Sequence, residues 1–269
     1  MRLATVADEH GPTAAVVVDD RVHPLPGRPS LRSVLARGLD GIAAEGPGVP
    51  LSEVRLLPPV PDPPNLYMAG ANYADHAREM RGLGADAPVA KPEHGPFMFL
   101  RPTTTLVAPG EPVVLAGERF DWEVELAVVI GRGGDVAGYT IANDVSNRAR
   151  FVRDPPPEPP MRFDWLAQKG WASTCPMGPW LETSLPDDVA LRLSVNGTIE
   201  QDSRTSQMIF SVAEQVAYLS EILPLVPGDM ICTGTPAGVG MGKGRFLADG
   251  DVMVAEIEGI GRLENPCRT

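Results

Sequence analysis

Cysteine is scarce in this chain of 269 residues, which contains only three cysteines and no pair of them at metal-binding or redox spacing. An odd number of isolated cysteines argues against a disulfide framework of the kind that holds small secreted domains together. The N-terminus also lacks a charged stretch followed by an apolar one. We therefore expect a reducing, cytoplasmic location. The three residues are Cys175, Cys232 and Cys267.

Excess positive charge and long apolar runs are lacking as well. The formal net charge is −12 at pH 7, whereas nucleic-acid binding needs a basic surface. No apolar run approaches the roughly 18 residues of a membrane-spanning helix. We therefore expect neither nucleic acid nor membrane as a partner. The length suits one large domain, alone or with a small appendage.

Lysine is the rarer of the two strong bases, with three lysines among 23 basic residues. Arginine serves almost everywhere that a plain positive charge is needed. A retained lysine is therefore a candidate for chemistry that needs a compact ammonium with an adjustable pKa. The alternative is that a few lysines remain by chance, and this explanation covers at least one of the three. They are Lys91, Lys169 and Lys243.

Glycine and proline are abundant and together exceed a fifth of the chain, while the apolar fraction is ordinary. This composition indicates many turns and short strands rather than disorder. We predict an α+β protein that is mostly β. The Asn196-Gly197 pair predicts a hairpin. The predicted strands are 2–7, 14–19, 66–70, 112–115, 122–130, 136–142, 190–195 and 251–258.

Two helices and one linker complete the predicted organisation. A short helix is expected after Ser30, and a longer one over Val212–Leu223, where Ser211 and Glu214 form a capping box. The proline-rich stretch 58–64 excludes a helix or a central strand. We therefore divide the chain into a small N-terminal β domain, residues 1–58, and a main domain, residues 59–269.

Three acidic residues, Glu123, Glu125 and Asp144, lie in or beside predicted strands. Glu123 and Glu125 are two positions apart, so on a strand their carboxylates leave the same face roughly 7 Å apart. Charge is costly inside a sheet unless it is paired or binds a cation. With Asp144 at the end of the next strand, the three form a candidate all-oxygen site for Mg²⁺ or Mn²⁺. A solvated strand face with unrelated acids is the alternative.

A histidine and a glutamate are spaced for one face of a short helix. His76 and Glu79 stand three positions apart and are therefore neighbours on a helix. A carboxylate beside an imidazole fixes its tautomer and raises its basicity, as deprotonation of water requires. An incidental surface pair is the alternative, and on this motif alone it is favoured.

The segment from Thr233 to Gly244 is rich in glycine but matches no nucleotide-binding motif. Ala237 and Gly244 stand where a P-loop needs Gly and Ser or Thr, and no Rossmann fingerprint follows an opening strand. We interpret it as a loop whose backbone N–H groups approach an anionic substrate, with Thr235 offering a hydroxyl. A structural turn is equally compatible. Serine-hydrolase, zinc-peptidase and Cys-x-x-Cys motifs do not occur.

Six motifs occur together, in an order that resembles the fumarylacetoacetate hydrolase family, over roughly residues 60–265. Six motifs in order are far more specific than any one of them. They are NYADHAREM, FDWEVELAVVIG, GYTIANDVSNR, QKGWASTCPMGPW, VNGTIEQDSRTSQMIFSV and PGDMICTGTPAGVGMG.

The resemblance implies a mixed β-roll or sandwich core with a small N-terminal β domain, assembled as a homodimer. It implies Mg²⁺ or Mn²⁺, and in some members Ca²⁺, bound by Glu123, Glu125 and Asp144. The catalytic residues that it implies are His76, Glu79 and Lys169. The substrate-binding residues that we predict are Tyr73, Arg148, Phe151 and Thr235.

The chain departs from the family pattern at three places. Hydrolase members usually carry a substrate-orienting Gln a few residues after the metal-binding Asp, and Phe151 stands there in this chain. Arg101 occupies a position that is often Lys. The proline-rich insert Asp154–Pro160 also differs, and we predict that the segment 148–165 acts as a lid.

These observations favour a metal-dependent hydrolase that cleaves a carbon–carbon bond in a 1,3-dicarbonyl acid, such as an acylpyruvate or a fumarylacetoacetate-like compound. His76, oriented by Glu79, deprotonates water, while Lys169 and the metal stabilise the departing enolate. The alternative is a decarboxylase, isomerase (tautomerase) or hydratase of a 2-oxo acid that uses the same metal-chelated enolate. Phe151, which stands in place of the hydrolase Gln, supports this alternative. A non-catalytic binding protein and a purely structural β protein are two further alternatives.

Overall fold

The computed structural model describes residues 1–153 and 162–269. Within these ranges the chain forms nineteen strands and five α-helices, which confirms the prediction of a mostly β, α+β protein. The proline-rich part of the predicted lid, Asp154–Pro160, lies outside the described residues. The helices are α1 Leu31–Arg37, α2 Ala74–Arg81, α3 Trp165–Lys169, α4 Val212–Ile222 and α5 Gly240–Lys243.

The strands are short and follow one another closely, as the abundance of Gly and Pro predicts. The first ten are β1 Arg2–Asp8, β2 Gly11–Val18, β3 Arg21–Pro24, β4 Val49–Pro50, β5 Arg55–Leu57, β6 Leu66–Gly70, β7 Phe97–Leu100, β8 Leu106–Val107, β9 Val113–Val114 and β10 Phe120–Asp121. The others are β11 Val124–Ile130, β12 Val136–Asn143, β13 Ser146–Asn147, β14 Cys175–Glu182, β15 Ala190–Val195, β16 Thr198–Arg204, β17 Met230–Cys232, β18 Val252–Ile257 and β19 Gly261–Arg268.

One large mixed sheet organises the molecule. Across the described residues its main path runs β4-β3-β2-β1-β14-β12-β11-β17-β6-β7, with β5 paired to β1 and β8 to β14. The N-terminal strands join this sheet because β1 pairs antiparallel with β14. Residues 1–58 therefore extend the same sheet, and the domain boundary at residue 58 stays a prediction.

A second sheet packs against the large one. Its order among the described strands is β16-β15-β18-β19-β9, and β15 and β16 form the hairpin that Asn196-Gly197 predicts. Apolar side chains from β15, β18 and β19 share one core with Val124, Leu126 and Ile141 of the large sheet. On the opposite face of the large sheet, α1 packs its Leu31 and Leu35 into a separate core. The site described below lies at the end of the β11–β12 pair where β11 begins and β12 ends.

Strand β11 separates apolar from acidic side chains by alternation. Its even-numbered residues, from Val124 to Ile130, lie in cores on one face, and Ala127 and Val129 lie in the core on the other. Glu125 lies on the same face of the strand as Ala127 and Val129, as predicted from the two-residue period. Glu123 comes one residue before the strand begins, although we expected it inside.

Several strands are not evident from the sequence. The central strand β14 contains Pro176, Gly178 and Pro179, residues that normally argue against a central strand. Pro179 is tolerated because the pairing of β14 with β12 is irregular between Tyr139 and Ile141, where not every ladder hydrogen bond is required. The short strands β17 and β7 carry too few residues to show a period.

The capping box of α4 is confirmed. The Ser211 hydroxyl accepts the Glu214 N–H, and the Glu214 carboxylate accepts the Ser211 N–H at 2.9 Å. The helix ends at Ile222, one residue earlier than predicted, with Leu223 as its C-cap.

Removing this cap should weaken the fold measurably. We expect Ser211→Ala to lower the free energy of unfolding by about 1 kcal/mol, because the Glu214 N–H in the first turn loses its acceptor, the Ser211 hydroxyl. Urea unfolding followed by circular dichroism measures the change. Ser220→Ala, on the exposed side of the same helix, is the control and should unfold like the unmodified protein. Equal stability of the two variants would contradict the capping role.

All three cysteines are free thiols in buried positions.

In residues 1–153 and 162–269, no helix combines the length and the apolarity needed to cross a bilayer.

Candidate active site

Three carboxylates meet at one end of the β11–β12 hairpin. Val124 pairs with Asn143, so Glu123 just before β11 and Asp144 just after β12 face each other across the end of the pair. The Asp144 N–H donates to the Glu123 carbonyl at 2.8 Å. One carboxylate oxygen from each of Glu123, Glu125 and Asp144 lies within 4.8 Å of the others, and all three residues are buried. Their predicted convergence is confirmed.

Three buried cations surround these acids. Lys169 donates to Glu123 Oε2 at 2.8 Å and also contacts Asp144. Arg148 donates to Glu123 Oε1 at 2.5 Å. Arg101 binds the second oxygen of Asp144. Lys169, which the scarcity of lysine singled out, is thus placed at the centre of the cluster by α3.

The two glutamates differ in their electrostatic environment. Burial opposes ionisation of Glu123, but Lys169 and Arg148 outweigh it and lower its pKa to about 2. Burial raises the pKa of Glu125 to about 8, and the nearby Glu123 charge adds to the effect. No described residue forms an ion pair with Glu125, whose Oε2 accepts the Gly234 N–H at 2.8 Å.

The donor set fits a hard divalent cation. Three carboxylates within reach of one another offer the oxygen ligands that Mg²⁺ and Mn²⁺ prefer. Glu125 in particular lacks a cationic partner among the described side chains, and a dication would stabilise its ionised form. Glu123, Glu125 and Asp144 are therefore the residues that could hold a metal.

His76 and Glu79 form the predicted pair on α2. His76 Nδ1 and Glu79 Oε2 are 3.0 Å apart. Burial opposes ionisation of Glu79, but hydrogen bonds from His76 and from the Gly238 N–H lower its pKa. Because an ionised carboxylate only accepts, Nδ1 carries the proton, and no described residue bonds to Nε2. Nε2 of the neutral ring is therefore the available base.

The glycine-rich loop binds the protein's own carboxylates. The N–H groups of Gly234 and Gly238 donate to Glu125 and Glu79, and those of Gly240 and Met241 donate to Asp121. We expected these groups to approach an anionic substrate, which is wrong for these four. The physical reason is the density of buried acids, whose charge needs hydrogen-bond donors once it is removed from water.

One cavity of about 280 Å³ connects these groups. His76, Lys169 and two of the three acids line it, so the base and the acid cluster open into the same space. Its size lies near the lower end of the range for small-molecule sites. Of the predicted residues, those that line it are His76, Glu123, Asp144, Arg148, Phe151, Lys169 and Thr235.

Three of the four predicted substrate-binding residues line the cavity, and Tyr73 does not. Arg148 and Phe151 both line the cavity, but Arg148 is held by Asp121 and Glu123. The Thr235 hydroxyl donates to the Val124 carbonyl and accepts from Gln201, so the protein already engages it. Tyr73 is fully buried in the core between the sheets and is outside the described lining. Its placement therefore does not support a substrate contact.

Sequence reasoning missed several residues of the site. Asp121 is fully buried and binds Arg148 at 2.9 Å, and burial raises its pKa. Its position two residues before Glu123 continues the same alternation and was the available signal. Gln168 lines the cavity, yet its Oε1 has no hydrogen-bond partner among the described residues. Phe97, Phe99 and Trp165 also line it, and no motif marks them.

Known proteins resemble this chain over its whole length. The family described as fumarylacetoacetate (FAA) hydrolase, C-terminal, matches residues 65–268. The family described as Rv2993c-like, N-terminal, matches residues 1–59. The mitochondrial oxaloacetate tautomerase Fahd2a of Rattus norvegicus is 38% identical over 242 residues, which cover 83% of this chain and 72% of that protein.

Two solved structures illustrate the range of activities among similar proteins. A 5-carboxymethyl-2-hydroxymuconate delta-isomerase from Mycobacterium smegmatis superposes with a TM-score of 0.79 at 33% identity, covering 100% of this chain and 99% of that one. A fumarylacetoacetate hydrolase from Exiguobacterium antarcticum gives 0.80 at 31% identity, with the same coverage. With the family match over most of its length, the chain belongs to the fumarylacetoacetate hydrolase family.

Proposed function

We propose that this protein is a metal-dependent tautomerase or isomerase of a small 2-oxo acid. The observation that carries the proposal is the opening of His76 and the acid cluster into one small cavity. Keto–enol isomerisation needs one group that moves a proton and others that stabilise negative charge on oxygen. The names of two of the similar proteins, a tautomerase and an isomerase, point in the same direction.

Each residue of the site has a place in this reaction. Nε2 of His76 takes the proton from the carbon beside the 2-oxo group and returns it to oxygen or to another carbon. Glu79 holds the ring through Nδ1, 3.0 Å away. The ammonium of Lys169 lies beside the acids and favours the charge that develops on oxygen. A divalent cation bound by Glu123, Glu125 and Asp144 would supply Lewis acidity and orient the 2-oxo acid.

Hydrolysis of a carbon–carbon bond, the main expectation from the sequence, is the second candidate. The His76–Glu79 pair favours it, because the same base can deprotonate water. Phe151 weighs against it, since an aromatic ring stands where the hydrolase pattern has a Gln. The tautomerase is therefore the better supported of the two.

A substrate panel distinguishes the candidates. We expect metal-dependent interconversion of enol and keto forms of 2-oxo acids, measured by ultraviolet absorbance above the uncatalysed rate. The rate should disappear in EDTA and return with Mg²⁺ or Mn²⁺. The panel contains oxaloacetate, an acylpyruvate and a 2-oxo-dienoate. Cleavage of the acylpyruvate would establish the second candidate, and metal uptake without turnover on any compound would indicate a binding protein.

Assembly as a homodimer and a cytoplasmic location belong to the same proposal. They rest on the family resemblance and on the sequence alone. Size-exclusion chromatography with light scattering tests the dimer.

A further inference from the structure

Aromatic residues are few in this chain but concentrated at the cavity. The sequence has seven Phe, four Trp and four Tyr. Four of these residues line the cavity. We call them the aromatic wall: Phe97, Phe99, Phe151 and Trp165. Such a concentration is unexpected for a site whose function is only to hold a small polar acid.

The rings of the wall contact one another through Trp165. Its ring centroid lies 5.2 Å from that of Phe97, 5.0 Å from that of Phe99 and 5.0 Å from that of Phe151. Phe163 stacks behind Phe151 at 4.9 Å. These spacings are typical of packed aromatic pairs. The wall is therefore a continuous surface built from three separate parts of the chain.

Backbone geometry supports this surface. Phe97 and Phe99 are two positions apart on β7 and so share a face. Gly70 is the cross-strand partner of Phe97, and a Cβ there would lie 2.7 Å from the Phe97 ring. The absence of a side chain at Gly70 lets the ring lie against the backbone. Phe97 nevertheless remains 53% exposed.

The cationic side chains of the cavity lining are already paired with carboxylates. Among the described lining residues the strong cations are Arg148 and Lys169, and both contact the acid cluster. A second carboxylate placed at the wall would lose its hydration, and both cations of the lining are already paired with the acid cluster. An apolar group there would remove partly exposed ring surface from water, which is favourable.

We propose that the aromatic wall binds an uncharged, apolar or aromatic substituent of the substrate. The preferred substrates are then 2-oxo acids with a single carboxylate at the acid cluster and an alkyl or aryl group at the wall, rather than dicarboxylates. This inference rests on the proposed function, because it assumes that the 2-oxo acid head lies beside the acid cluster.

Two non-reactive ligands with the same head and different tails test the inference. N-phenyloxamate carries a phenyl ring, and N-oxalylglycine carries a second carboxylate. We expect calorimetry with Mg²⁺ present to show about tenfold tighter binding of N-phenyloxamate, on the order of one aromatic contact. Phe97→Ala and Trp165→Ala should each remove most of this preference and leave N-oxalylglycine binding nearly unchanged. Phe246→Ala, a half-buried Phe outside the described lining, is the matched control and should keep the preference.

The outcomes separate this inference from the proposed function. Equal affinities, or tighter binding of N-oxalylglycine, would overturn the aromatic-wall inference while the proposed function stands. A preference for N-phenyloxamate that survives both wall variants would also overturn it. Binding of neither ligand with Mg²⁺ present would overturn both proposals. Melting temperatures show whether each variant is folded.

Discussion

Replacing His76 with Asn should lower kcat by about 10²–10⁴-fold for any 2-oxo acid that the protein turns over, because the proton-transferring base is lost. The Asn side chain is chosen because its amide can occupy the position of Nδ1 and donate to Glu79, which accepts from the ring at 3.0 Å. The metal ligands are untouched. Metal affinity should therefore stay close to that of the unmodified protein while turnover falls.

Steady-state kinetics and calorimetric metal titration measure these two effects separately. His94→Asn is the control for exchanging a histidine, since His94 is exposed and outside the lining described for the site cavity. Its kcat should be unchanged. A His76→Asn enzyme with kcat within about twofold of the original would remove His76 from the mechanism, since general-base catalysis contributes far more than that.

Replacing Glu125 with Gln should strongly weaken metal binding without weakening the metal-free fold. Burial and the Glu123 charge raise the pKa of Glu125, which favours the neutral form of the metal-free side chain. Gln resembles this neutral form in size and can still accept the Gly234 N–H. The melting temperature in EDTA should therefore change little. Loss of a ligand should weaken Mn²⁺ binding by about 100-fold or more, since loss of outer partners alone costs 10–100-fold.

Thermal unfolding with and without Mn²⁺ makes the second effect visible. A metal that binds only the folded state raises stability by about 2.7 kcal/mol at 100 times its Kd, and the Glu125→Gln variant should lose this gain. Glu200→Gln is the matched control, because Glu200 is buried but pairs with Lys243 and Arg245 instead. It should keep the metal-dependent gain. Undiminished Mn²⁺ binding by Glu125→Gln would contradict the metal site.

Much of the acid cluster could be predicted from local patterns. The two-residue alternation placed Glu125 on the face opposite Val124 and Leu126, and the structure confirms this. Antiparallel pairing of consecutive strands then brings Asp144 to Glu123, because the end of one strand faces the start of the other. The His76–Glu79 contact followed in the same way from the geometry of one helical turn. Each inference depends on neighbours in the chain or on adjacent strands.

Other features were beyond local patterns. The role of the glycine-rich loop was left open, because its N–H groups could be assigned to a partner only once Glu79, Asp121 and Glu125 were known to surround it. Strand β14 was missed since its prolines violate the usual rule for a central strand, and the irregular pairing that accommodates Pro179 involves a different strand, β12. Tyr73 and His76 both come shortly after β6 in the chain. Tyr73 is nevertheless buried in the core and does not belong to the described cavity lining.

The sequence by itself determined the strand and helix periods, the identity of the acid, base and lysine candidates, and the family resemblance. These depend on residue order and short-range geometry, which a linear pattern records. Only the tertiary structure decided that Lys169 and Arg148 share Glu123, that Glu125 has no cationic partner among the described residues, and that rings from β7, α3 and Phe151 form one wall. These contacts join segments that are separated in the sequence, and sheet order and packing determine them rather than any local preference.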